Sequence, residues 1–244
     1  MRPLLRWLAL VAVAFLALQL FFVGRIALMV VVDPQSTAFQ RSEAMRILGS
    51  KGALPWRQQW VPYAQISDHL KRAVIASEDD GYAAHDGVDW DALEKAWAKN
   101  NRAEERAARR SAPGHKGQAP MPKIVGGSTI TQQLAKNLFL SGERTWLRKG
   151  QELVLTLILE ALLDKRRILE IYLNNVEWGE GVFGVQAAAE HYYRKSAARL
   201  SAAEAARLAV ILPRPKYFEK LPNSAYVAGR AGTIMARMAY ARLP

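Results

Sequence analysis

Hydrophobic and polar positions divide this chain into two unequal parts. Residues 7–24 form an apolar run of eighteen residues broken only by Gln19, with Arg2 and Arg6 before it and Arg25 after it. A run of this length crosses a hydrocarbon core as a helix. It is long for a cleaved signal peptide, and the Ala12-Val13-Ala14 triplet lies well inside it, so an uncleaved anchor is expected. Arg2 and Arg6 on a very short tail favour a cytoplasmic N-terminus, against the pull of Arg25, and put the bulk of the chain on the outer side. A second apolar run, residues 26–32, ends at Asp33-Pro34 and is too short to span again. It either extends the anchor or packs on the domain that follows.

Beyond residue 66 the period becomes that of amphipathic helices. Apolar residues recur at helix spacing over residues 67–76, 90–98, 130–139, 147–164, 167–173, 185–193 and 202–211, and little reads as strand. Thr129 with Gln132, and Ser201 with Glu204, have the form of capping boxes that open helices. Residues 174–184 carry Gly179, Gly181 and Gly184 and read as a turn-rich connection. Residues 99–123 hold seven basic residues, three prolines, two glycines and few large apolar side chains, which predicts a mobile, solvated basic loop. The expected organisation is a tail (1–6), an anchor (7–24), a connecting segment (25–60) and one α-rich domain (61–244).

Composition adds the charge. The 244 residues are 50% hydrophobic and 23% charged, as in a folded domain, with a net charge of +12 and a pI near 10.1. Such a chain is drawn to anionic surfaces: lipid headgroups, phosphorylated substrates or nucleic acid. An anchor favours the first two, and residues 99–123 lack the interleaved aromatics that stack bases. With no cysteine, disulfides, thiolate metal sites and thiol nucleophiles are excluded.

Three segments carry candidate chemistry. In GGSTITQQLAKNLFL, the Gly126-Gly127 pair and a capped helix start suit an anion, and Lys136 and Asn137 add a cation and an amide donor two turns on. In SEDDGYAAHDG, carboxylates begin where an apolar helix ends. Clustered like charge beside an apolar wall raises at least one carboxyl pKa, which suits Glu78 to acid–base work near neutrality. Asp79 and Asp80 offer oxygen ligands to a divalent cation. Downstream, Arg144, Arg148, Lys149 and Glu152 combine three cations with a second carboxylate, a set suited to a multiply charged leaving group.

Taken in order, SEDxxYxxHxG, GGSTITQQLAKNLFL, RTWLRKGQE, KRRILEIYLNNVEWGEGVFG with AAAEHYY, and AARLAVILPRPKYF resemble the five motifs of the bacterial peptidoglycan glycosyltransferases, glycosyltransferase family 51. The resemblance covers residues 61–218 and is nearest to the monofunctional biosynthetic transglycosylases, since no S-x-x-K sequence of a transpeptidase follows. It implies a mainly α, lysozyme-like fold. It further implies a donor glycan on undecaprenyl diphosphate, lipid II as acceptor, and a β-1,4 link made with inversion. Glu78 matches the general base and Glu152 the second essential carboxylate. Lys136, Arg144 and Arg148 match residues around the donor diphosphate, while Ser128, Thr129, Gln133 and Asn137 would line or shape the cleft. A divalent cation, Mg²⁺ or Mn²⁺, is implied as an aid to the departing diphosphate, with Asp79 and the phosphates as ligands.

Two departures from the family pattern stand out: Tyr82 replaces the usual Phe, and residues 99–123 are longer and more basic than expected. The chemistry implies a single-pass protein of the bacterial cytoplasmic membrane with its domain on the outer face, in contact with membrane lipids and with cell-division or elongation proteins. Two other classes compete. A glycan-cleaving lytic transglycosylase would share the helical fold and the single glutamate but has no need of the cation cluster. A membrane-anchored scaffold would need no Glu78.

Overall fold

The computed structural model describes residues 2–110, 127–140, 142–143 and 145–244. Its first element, α1 (Arg2–Leu28), is long and apolar enough to cross a bilayer, with a mean hydropathy of 2.4 over its most apolar stretch of 18 residues. Residues 3–18 are exposed all round, whereas Gln19, Phe22, Ile26 and Met29 follow a helical stripe that turns toward the rest of the protein. Both expectations for the second apolar run hold in part. The helix continues to Leu28, and Ile26 and Met29 are buried in the core.

The connecting segment has structure of its own. Helix α2 (Ala38–Lys51) opens on a Thr37–Gln40 capping box and closes at Gly52 in the left-handed conformation. Strand β1 (Arg57–Gln58) and a 3₁₀ turn (Tyr63–Gln65) lead into α3 (Asp68–Glu78), α4 (Trp90–Arg110), α5 (Ile130–Phe139), α6 (Trp146–Leu162) and α7 (Lys165–Asn175). Short strands β2 (Glu177–Gly179) and β3 (Val182–Phe183) precede α8 (Val185–Tyr193), α9 (Ala202–Ile211), α10 (Pro215–Phe218) and α11 (Ala225–Met238). The fold is mainly α, as the periodicity predicts. Side-chain caps at Thr129, Thr145, Asp164, Ser201 and Ser224 start α5, α6, α7, α9 and α11.

Two segments differ from the sequence reading. Residues 99–110 continue α4 instead of starting the basic loop; the rest of that loop lies outside the described residues, as do Gly126 and Arg144. Between residues 99 and 110 there is no Gly or Pro, and Ala, Glu, Lys and Arg are strong helix formers, so the helix continues without large apolar side chains. The turn-rich connection holds a small sheet of order β1-β3-β2, with β1 parallel and β2 antiparallel to β3. At Gly181, φ is +75° and a Cβ would come within 2.0 Å of the Pro55 carbonyl oxygen, so only glycine lets β1 lie there.

The core runs through α3, α5, α6, α7 and α9. Leu70, Val74 and Ile75 of α3, Ile130 and Leu134 of α5, Leu155 and Leu159 of α6, and Trp178 and Phe183 of the sheet are almost completely buried. Each large apolar side chain so buried contributes about 1.5–3 kcal/mol. Glu78 therefore ends a helix held by packing along its length, while α5 sits on α6, α7 and α2.

Candidate active site

Helix α3 ends at Glu78, where its apolar stripe gives way to polar residues. The half-buried Glu78 carboxylate accepts a hydrogen bond from Gln133 Nε2 at 3.1 Å and a longer one from Ser77 Oγ at 3.4 Å. Gln133 is itself held: its Oε1 accepts from the hydroxyl of the fully buried Tyr172 at 2.9 Å. A chain Tyr172–Gln133–Glu78 thus links α7, α5 and α3 and aims an amide donor at the carboxylate. Burial pushes the Glu78 carboxyl above its ordinary pKa, opposed by the Gln133 and Ser77 hydrogen bonds, raised further by Asp79 and lowered by Arg230. The Tyr172 hydroxyl is pushed well up by its own burial, with Glu78 and Asp79 adding, so it stays a donor.

Neither Tyr172 nor Arg230 was singled out in the sequence. Tyr172 lies inside the YLNN stretch, where a tyrosine at an apolar position of a helix reads simply as core, and its hydroxyl partner is 39 residues away. Arg230, exposed on α11, has no local signal at all.

Asp79 is buried, and each of its oxygens has a partner. Its Oδ1 is 2.8 Å from His85 Nε2, and its Oδ2 accepts the Ile130 backbone N–H at 2.9 Å. Thr129 Oγ1 caps Gln132 N at 3.2 Å and donates to the Gly87 carbonyl at 2.6 Å, while Gln132 Oε1 accepts from Thr129 N. The start of α5 therefore differs from the open anion site expected from the glycine pair and the cap. The N–H groups of Thr129, Ile130 and Gln132 are satisfied within the protein, by the capping box and by Asp79. Gly87, at φ +84°, packs so closely on Thr156 and Glu160 of α6 that a Cβ would lie 2.8 Å from each.

The polar face of α5 beyond its first turn is open. Gln133 and Asn137 are half-buried and Lys136 is exposed, all within one turn of each other, and Ser128 is exposed just before the helix. On α6, Glu152 is buried between two cations. Arg148 Nη1 donates to Glu152 Oε2 at 2.8 Å, and Lys149 Nζ pairs with Oε1. Arg148 Nε is buried and has no hydrogen-bond partner among the described residues. A guanidinium that spends one Nη1 donor on a carboxylate keeps further N–H groups for an anion. Tyr82, in place of the family's Phe, is buried and donates its hydroxyl to the Lys165 carbonyl at 2.6 Å, so the extra oxygen has found a partner.

For a divalent cation, Asp79, His85 and Asp89 offer ligand atoms within 4.8 Å of one another. Asp79 already meets the His85 ring and accepts from the Ile130 amide, and Asp89 Oδ1 accepts the Ala92 N–H at 2.7 Å at the start of α4, so an ion there would share oxygens that already hold α4 and α5 in place.

A family model described as "Transglycosylase" matches residues 48–239. Curated proteins named biosynthetic peptidoglycan transglycosylase align along the whole chain. The protein of Burkholderia thailandensis is 53% identical over 247 residues, covering 100% of this chain and 90% of its own length. That of Herminiimonas arsenicoxydans is 50% identical over 245 residues, at 100% and 99% coverage. That of Paraburkholderia phytofirmans is 50% identical over 244 residues, at 98% and 94%. With the helical fold and the order of its motifs in agreement, the chain belongs to the transglycosylase family, among the biosynthetic peptidoglycan transglycosylases.

Proposed function

We propose that this protein, a peptidoglycan glycosyltransferase by family, polymerises lipid II with Glu78 as the general base. The observation that carries the reading is the Tyr172–Gln133–Glu78 chain, which orients a carboxylate whose pKa burial has raised toward the working range of a base. Ionised Glu78 takes the proton of the acceptor's 4-hydroxyl. The freed oxygen attacks the donor's anomeric carbon from the face opposite the diphosphate, and the C–O bond to the diphosphate breaks with its electron pair. One displacement gives inversion and needs no covalent enzyme intermediate.

On the leaving side, Arg148 meets the charge that grows on the diphosphate, joined by Lys136 from α5 and by Arg144. Glu152 holds Arg148 and Lys149 in place, so it acts as a positioning carboxylate. Ser128, Thr129 and Asn137 shape the rim of the same cleft; Thr129 does so through the backbone it caps. If a divalent cation takes part, diphosphate oxygens are its better ligands, and Asp79 serves to fix α5. In this reading the anchor crosses the bacterial cytoplasmic membrane once, with the domain on the outer face, where lipid II is used.

The test is polymerisation of labelled lipid II, read as glycan chains on a gel. Glu78→Gln keeps the shape of the side chain and removes the base, and should lower the rate by about two to four orders of magnitude. Activity within tenfold of wild type would remove Glu78 from this role. Release of soluble fragments from sacculi, with lipid II untouched, would replace synthesis by cleavage.

A further inference from the structure

Gln19 is the polar exception in an apolar run of eighteen residues, and it has a partner outside its own helix. Its Nε2 donates to Gln151 Oε1 at 3.2 Å, and Gln151 Nε2 donates back to Gln19 Oε1 at 3.0 Å. The two amides satisfy each other head to tail. A lone amide facing hydrocarbon is costly, so the pairing decides which side of α1 faces the protein.

Gln19 is also where docking begins. On its N-terminal side α1 is exposed all round; on its C-terminal side Phe22 meets Phe139 of α5 edge-on at 5.3 Å, Arg25 lies over the same ring at 5.8 Å, and Ile26 is buried. Arg167 then bonds the Met29 carbonyl at 2.8 Å and Asp33 at 2.7 Å. Ring and aliphatic contacts tolerate sliding and rotation. Two antiparallel amide bonds form at one register only.

Gln151 immediately precedes Glu152 and lies three residues after Arg148, on the same turns of α6. Phe139 lies three residues after Lys136 on α5. The anchor is thus clamped to the two helix segments that carry the leaving-group side of the site.

We propose that the Gln19–Gln151 pair is a positioning contact: it fixes α1 against the first turns of α6, so that Arg148 and Glu152 meet a lipid-linked diphosphate at a set height above the bilayer. The inference rests on the reading of Arg148 and Glu152 as the donor-diphosphate side.

The experiment uses the full chain in lipid vesicles, with labelled lipid II at varied surface concentration. Gln19→Leu and Gln151→Leu should each raise KM roughly three- to tenfold, the range expected from one or two interhelical amide bonds, with kcat within about twofold. The double Leu variant should be no worse than either single one, because one contact is lost in all three. Unchanged KM in the single variants, or a double variant restored to wild type by its new apolar contact, would overturn the proposal.

Unfolding midpoints of the variants, measured in detergent, should stay within a few degrees of wild type; a collapse there would mean the pair merely holds the fold. The chain has no cysteine, so Gln19→Cys combined with Gln151→Cys can be joined selectively by a short bis-thiosulfonate linker. Linking should bring KM back toward wild type; complete linking without recovery counts against positioning. Arg148→Ala, assayed alongside, separates the two ideas: if it leaves both kcat and KM unchanged while wild type polymerises, the donor-side reading fails whatever the Gln19 variants do.

Discussion

Gln133 stands between two groups that need opposite things from it. Its nitrogen gives the Glu78 anion a donor and its oxygen gives the buried Tyr172 hydroxyl an acceptor, so the amide has only one useful orientation. As the proposed base, Glu78 must be ionised, so kcat/KM should fall as pH drops through its raised pKa. Gln133→Leu removes the stronger of the two hydrogen bonds that favour the anion, which raises that pKa further. The acid limb of the pH–rate profile should then move up by as much as about one unit, worth ~1.4 kcal/mol. The loss should be larger at pH 6 than at pH 8. Tyr172→Phe leaves the amide in place but free to rotate, and should move the limb the same way by less. A limb that stays where wild type has it in Gln133→Leu would show that the amide does not tune Glu78.

At the scale of elements, the question is what holds α5 beside the end of α3. Asp79 does so from the residue next to Glu78, reaching 51 positions along the chain to the Ile130 N–H while its other oxygen meets His85. Asp79→Ala would leave a buried N–H and a mostly buried imidazole nitrogen without partners. The expected cost is about 2–4 kcal/mol, read as a lower midpoint in urea or heat. Glu78→Gln should not lower that midpoint, since it removes a carboxylate whose charged form burial disfavours. Equal midpoints for wild type and Asp79→Ala would refute the structural role. This contrast also marks what the sequence could reveal. The α5 capping box was legible because Thr129 and Gln132 are three residues apart, and so was the Ser201–Glu204 box. The Asp79–Ile130 and Tyr172–Gln133 contacts were not, because nothing local marks partners brought together by packing. The sheet was missed because its strands are two or three residues long, too short for alternation to show. The far end of α4 was missed because helix-forming charged residues without large apolar neighbours were read as solvated loop.

For the molecule as a whole, a membrane-spanning α1 docked on the domain would set how the domain meets a bilayer. Residues 3–18, exposed all round, run about 24 Å at 1.5 Å per residue, so Gln19 lies near one edge of a hydrocarbon core of about 30 Å. Helix α6 is bonded to α1 at that level, and its first residues, Trp146 and Leu147, are 93% and 87% exposed. Leu153, Val154 and Leu157 extend the exposed apolar side chains along the same helix. An apolar surface of this kind beside a membrane helix belongs in lipid, and the net charge of +12 would draw the surrounding surface toward anionic headgroups. The cysteine-free chain allows a direct test. An environment-sensitive fluorophore on Leu147→Cys should emit at shorter wavelength in vesicles than in detergent-free buffer standards, and lipid-borne nitroxides should quench it. The same dye on Met235→Cys, an apolar position 43% exposed on α11, which packs on α3 and α9, should report water and escape quenching. Because both sites are apolar and exposed, a difference between them reports where each sits relative to the bilayer. Two aqueous spectra would mean that α6 stands clear of the lipid and that α1 is a tether whose docking sets nothing about the depth of the domain.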